Sequence, residues 1–128
     1  MSARGKVAVL DDEPIVCERL RESLEKIGYE VETFTESQKA VDRLARGGFD
    51  VLVTDLKMRK PDGLEVLSFV RENSPATKVI IITGFATVTT ATEAMKCGAV
   101  DFIAKPFKIS QLRDLIEKIT ARRDQAPE

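Results

Sequence analysis

The stretch KVAVLDDEPIVCERLRESLEKIG, residues 6–28, changes its hydrophobic period halfway along. Its first five residues form a short apolar run of the strand type. From Pro14 onward Val16, Leu20, Leu24 and Ile27 recur at intervals of three and four, the spacing of one helix face. Pro14 suits a first helical turn, and Gly28 is placed to end the helix. One strand–helix unit is therefore expected, with the adjacent carboxylates Asp11 and Asp12 at its turn. Ionised side by side they repel, so the pair either starts the helix or binds a cation.

The same alternation extends outward from this unit. EVETF (30–34), DVLVTD (50–55), KVIIIT (78–83) and VDFIAK (100–105) read as four further strands. Between them, a second helix follows Ser37 with Ala40, Val41, Leu44 and Ala45 inward and Gly47-Gly48 as its stop. A third covers about 63–72, and a fourth covers about 87–96 and stops at Gly98. The last is expected to be capped by Ser110 and to bury Leu112, Leu115, Ile116 and Ile119. Strict alternation implies a doubly wound α/β fold, a five-stranded parallel sheet with helices on both faces, whose third and fourth strands are buried on both sides. One domain over residues 1–123 is expected, with DQAPE (124–128) as a disordered tail or the start of a linker.

Composition limits the chemistry. The chain has 128 residues, 43% hydrophobic and 32% charged, with a formal charge of −1. That balance fits one soluble domain and argues against a broad nucleic-acid or membrane surface. The absence of an apolar run of about 18 residues, and of a signal-peptide core at the N-terminus, leads to an expected cytoplasmic location. Cys17 and Cys97 share no C-x-x-C spacing and are expected to be free thiols. The sequence contains no histidine, so the usual general base and the commonest metal ligand are missing. Oxygen ligands and lysine remain.

In doubly wound sheets ligands bind beyond the carboxyl ends of the strands. Here those ends carry Asp11 and Asp12, Asp55, Thr83 and Lys105, all on one rim. Singly each has a bland reading as a cap, a turn residue or a solvated charge. Jointly, three neighbouring carboxylates destabilise a fold unless a cation compensates them. An oxygen-only set favours Mg²⁺, or Mn²⁺, which keeps water and takes phosphoryl oxygens. Lys105 can neutralise a phosphoryl oxygen beyond the metal's reach, Thr83 can donate to another, and Asp55, nearest the middle of the sheet, is the natural nucleophile.

The blocks LDDEP, VLVTDLKM, DGLEVL, IIITG and GAVDFIAKPF together resemble the receiver domain of bacterial two-component response regulators over residues 5 to 122. With ATEAMKCGA, the last block looks most like receivers that precede enhancer-dependent transcription activators. The resemblance implies a flavodoxin-like (CheY-like) sheet of strand order 2-1-3-4-5. It implies that Asp55 takes a phosphoryl group from a sensor histidine kinase or phosphotransfer protein. Asp11, Asp12, Asp55 and the backbone carbonyl of Lys57 would hold the Mg²⁺. Lys105 would pair with the phosphoryl group, with a cis bond to Pro106, and Thr83 and Phe102 would form a switch couple. The output would be a changed surface on the fourth helix, fifth strand and fifth helix, meeting a downstream domain or partner protein or a second copy of the chain. No external substrate would be turned over, and neither nucleic acid nor membrane would be bound directly.

Some positions depart from the family pattern. Arg59 stands where many receivers have proline, and Phe102 where many have tyrosine, which removes a hydroxyl from the switch. Lys57 and Phe85 occupy places that tune phosphoryl lifetime in the family. The TVTTAT opening of the fourth helix is rich in β-branched residues, which either leave its first turns easy to shift or pack on the sheet. The rival readings are a receiver-like scaffold that binds partners without phosphorylation, an aspartyl phosphatase and a flavin protein. LDDEP lacks the phosphatase spacing, and the first loop lacks a phosphate cradle for a flavin.

Overall fold

The computed structural model describes residues 4–56, 58, 61–84 and 86–124, the last three by backbone alone. Strands β1 (Lys6–Leu10), β2 (Glu30–Phe34), β3 (Val51–Asp55), β4 (Lys78–Thr83) and β5 (Asp101–Ala104) alternate with helices α1 (Pro14–Lys26), α2 (Ser37–Leu44), α3 (Gly63–Asn73), α4 (Val88–Lys96) and α5 (Ile109–Asp124). The strands form one sheet in the order β2-β1-β3-β4-β5, every pair parallel. This is the doubly wound, five-stranded α/β fold that the alternating periods imply.

Alternation along the strands divides the core in two. Val7, Val9, Val53, Ile80 and Ile82 pack with Leu20 and Leu24 of α1 and Leu112 and Ile116 of α5. On the opposite face Ala8, Leu10, Leu52 and Ile81 pack with Leu44 of α2, Val66, Leu67 and Val70 of α3, and Ala94 of α4. β3 is buried throughout, as a central strand covered on both faces must be.

Helix ends explain the loop paths. α1 starts without a side-chain cap: Pro14 occupies its first turn and Glu13 precedes it in extended conformation. α3 and α4 each begin with a capping box, Asp62 with Glu65 and Thr87 with Thr90. Gly28 and Gly98 follow α1 and α4 with φ near +100°, where a Cβ would be strained.

Two details of α5 differ from expectation. The helix starts at Ile109, so Ser110 lies within its first turn and is not its cap; the Gln111 amide already donates to the Lys108 carbonyl at 3.0 Å. Leu112 and Ile116 are buried, whereas Leu115 and Ile119 are only half-buried at the margin of the core. The helix reaches Asp124, one residue past the expected end, and the rest of the expected tail lies outside the described residues. Cys17 and Cys97 are free, buried and half-buried respectively.

Candidate functional site

Four of the strand-end residues named from the sequence, Asp11, Asp12, Asp55 and Lys105, meet in one cluster, and Thr83 ends the neighbouring strand β4. Asp11 follows β1 and is fully buried, its amide donating to the Phe34 carbonyl at 3.0 Å. Asp55 is the last residue of β3 and is 6% exposed. Oxygens of Asp11, Asp12 and Asp55 lie within 4.8 Å of one another, a donor set suited to a hard divalent cation. Asp12 itself is exposed and does not cap α1, so its helix-start reading falls away.

Lys105, directly after β5, reaches into this cluster. Its Nζ donates to Asp11 Oδ2 at 2.8 Å, to Asp55 Oδ2 at 3.0 Å and to Glu13 Oε1 at 3.0 Å. Three donors thus meet three carboxylates, and the ammonium has no further N–H to offer. Burial alone would pull the Lys105 pKa down, but hydrogen bonds to Asp11, Asp55 and Glu13 outweigh it and hold the group above its ordinary value. The Asp11 pKa is raised as well, which for a carboxyl disfavours the charged form. Burial raises it, against the opposing bonds from Lys105 and the Glu13 amide, so its charge is costly in the fold.

The Lys105–Pro106 bond is cis, and the Lys105 amide donates to the Thr83 carbonyl at 2.8 Å. Thr83 is fully buried at the end of β4. In the β4–β5 register Ile81 faces Phe102 and Thr83 faces Ala104, so Thr83 and Phe102 project from the same face of the sheet. Phe102 is half-buried against the core layer that contains Ala94 of α4. The shared face follows from the pairing of β4 with β5 alone.

Glu13 was not singled out in the sequence, although it is the third acid of LDDEP. Its contact with Lys105 spans 92 positions, which no local pattern reveals. Gly63 is a second omission. A Cβ there would lie 2.6 Å from Leu56 Cα and press on the Asp55 carbonyl, so the start of α3 closes directly on the acceptor strand. Lys57, Arg59, Lys60 and Phe85 lie outside the described residues, and with them the expected metal-binding carbonyl of Lys57. Cys17 Sγ donates to the Asp11 carbonyl at 3.4 Å, and burial pushes the thiol up, away from thiolate chemistry.

Comparison with known proteins agrees with this architecture. The family model for the response regulator receiver domain matches residues 7–117. The response regulator protein PilR of Pseudomonas aeruginosa is 33% identical over 98% of this chain, which spans 28% of that relative. The transcriptional regulatory protein FixJ of Bradyrhizobium diazoefficiens is also 33% identical over 98% of the chain and 62% of its own length. Among solved structures, the beryllofluoride-activated NtrC4 receiver domain dimer matches with a TM-score of 0.85 and 35% identity, over 91% of this chain and 97% of that one.

The chain belongs to the response regulator receiver domain family, the signalling modules of two-component systems. The narrower resemblance to the receivers of enhancer-dependent transcription activators holds in this company of relatives. No helix among the described residues is long and apolar enough to cross a membrane.

Proposed function

We propose that this chain is a phosphoacceptor switch in which Asp55 takes a phosphoryl group from the phosphohistidine of a sensor kinase or phosphotransfer protein. A carboxylate oxygen of Asp55 forms the new O–P bond as the N–P bond of the donor breaks, and the leaving imidazole takes up a proton from solvent. Asp11, Asp12 and Asp55, with the Lys57 carbonyl, would hold Mg²⁺, or Mn²⁺ in its place. Bound there, the ion supplies charge neutralisation on the phosphoryl oxygens. Lys105 would pair with the same oxygens, and Thr83 would donate its hydroxyl to another from the neighbouring strand end.

The observation that carries this reading is the convergence of one ammonium on Asp11 and Asp55 within a cluster of three acids. A cation and a phosphoryl group fit that charge pattern; a neutral substrate does not. Beside it a groove of about 420 Å³ is lined by Val16 and Leu20 of α1, by Phe107 and Ile109, and by Glu13 and Lys105.

Phosphorylation adds close to two negative charges beside Thr83 and Lys105. Thr83 is drawn toward them, and Phe102, on the same face, turns into the space released, which biases α4, β5 and α5 toward a second arrangement. That surface would engage a downstream output domain or partner, or a second copy of the chain. The setting would be the bacterial cytoplasm and the consequence regulated transcription, with only the chain's own phosphoryl gained and lost.

Incubation with acetyl phosphate and Mg²⁺ followed by intact mass measurement tests the reading. A gain of about 80 Da that disappears in Asp55→Asn is expected. An unmodified parent chain would leave the scaffold reading in its place.

A further inference from the structure

We infer that Glu13 is a positioning residue for Lys105, an outer acceptor that receives the ammonium when a divalent cation claims Asp11 and Asp55. The inference rests on the phosphoacceptor reading above and concerns how that site changes hands between two cations.

Lys105 Nζ bonds to three carboxylates, and two of them, Asp11 and Asp55, belong to the set that can hold a metal. The ammonium and a divalent ion therefore compete for the same two side chains. Glu13 stands outside that set, so of the three acceptors of Lys105 it is the one a cation held by the cluster would not need. The three acceptors also form a gradient toward solvent: the Asp11 side chain is 0% exposed, Asp55 9% and Glu13 57%. Movement of the ammonium toward Glu13 is movement toward the rim.

The loop fixes the backbone of Glu13 while leaving its side chain available. The Glu13 amide donates to Asp11 Oδ1 at 2.9 Å, which ties the two residues at a set separation. Although Glu13 occupies the cap position of α1, its side chain makes no bond to the helix amides. Its carboxylate is turned to Lys105 instead. Without that outer negative charge the ammonium has only the two inner carboxylates to pair with, and it opposes a metal more strongly there.

Binding of Mn²⁺ to the full chain, followed by the electron paramagnetic resonance signal of the free ion, tests this directly. Glu13→Gln is expected to weaken Mn²⁺ about fivefold, the scale of one partly exposed ion pair. In a Lys105→Met background the same substitution is expected to change affinity less than about twofold, because only the screened field of a rim charge remains. Lys105→Gln replaces that background if circular dichroism shows Lys105→Met to be unfolded. Unchanged affinity in Glu13→Gln, or an equal loss in both backgrounds, would overturn the inference while leaving the metal site standing. A parent chain that takes up no Mn²⁺ would remove the phosphoacceptor reading and this inference with it.

Discussion

Gly63 shows how closely a single residue is tied to the chemistry of the pocket. Its amide donates to the Leu56 carbonyl at 3.0 Å, and its missing side chain lets α3 start against the end of β3. In Gly63→Ala the new methyl meets backbone, which cannot rotate aside as a side chain would. A loss of about 1–3 kcal/mol in urea unfolding is expected, together with slower labelling of Asp55 by acetyl phosphate. An unchanged midpoint would show that the turn can yield. The meeting of Asp11, Asp12, Asp55 and Lys105 was legible because each lies at or within two residues of a strand's end, and a parallel sheet gathers such ends on one rim. Gly63 and Glu13 were not, because their contacts depend on loop paths that periodicity does not encode.

At the scale of elements, the two sheet edges are held differently. At one edge, Glu32 of β2 accepts from Arg43 of α2 at 2.9 and 3.0 Å and pairs with Lys6 of β1 at 3.1 Å. Burial would raise the Glu32 carboxyl, but the bonds from Arg43 and Lys6 outweigh it and hold the group below its ordinary value of 4.5. The folded chain therefore binds fewer protons than the unfolded chain across that window. The resulting stability is complete above pH 4.5 and is lost as pH falls through the folded value. Glu32→Gln should flatten this part of the acid limb by less than about 1 kcal/mol, since the side chain is partly solvated. Denaturant melts from pH 3 to 6, compared with the parent, measure the difference in slope; identical slopes would assign the acid limb to other groups.

Toward the other edge, α4 buries only Ala94 among its residues, and Val88 is 85% exposed. The β-branched opening of the helix thus does not pack on the sheet, and the alternative seen in the sequence, a helix easy to shift, gains support. Its C-terminal end is fastened: Arg71 of α3 donates to the Cys97 carbonyl at 3.0 Å, and the Ala99 amide donates to the Ala94 carbonyl at 3.0 Å. Amides of residues 88–93 should exchange hydrogen faster than those of α1, and beryllofluoride should alter their protection more than that of α1. Equal protection with and without the phosphoryl mimic would exclude α4 as the moving part. The sequence could suggest weak packing here, but not the arginine that anchors the far end.

Across the whole molecule, the two core layers make the sheet rigid enough to hold together carboxylates that repel one another. Asp11 carries the cost most plainly, because burial holds its carboxyl above the ordinary value and the folded chain pays for keeping it ionised at neutral pH. Replacing that charge should stabilise the cation-free fold, while a divalent ion should stabilise the parent by binding only its folded form. At a hundredfold excess over the dissociation constant, linkage gives about 2.7 kcal/mol. For a chain of this size that corresponds to a rise in Tm of roughly 10 °C. Asp11→Asn should accordingly melt above the parent in chelator and gain little from Mg²⁺. Paired thermal scans in EDTA and in millimolar Mg²⁺ test both halves at once. A parent whose Tm ignores the ion would count against a metal site, and an Asp11→Asn chain that melts below the parent in chelator would show that Lys105 already offsets the buried charge in full.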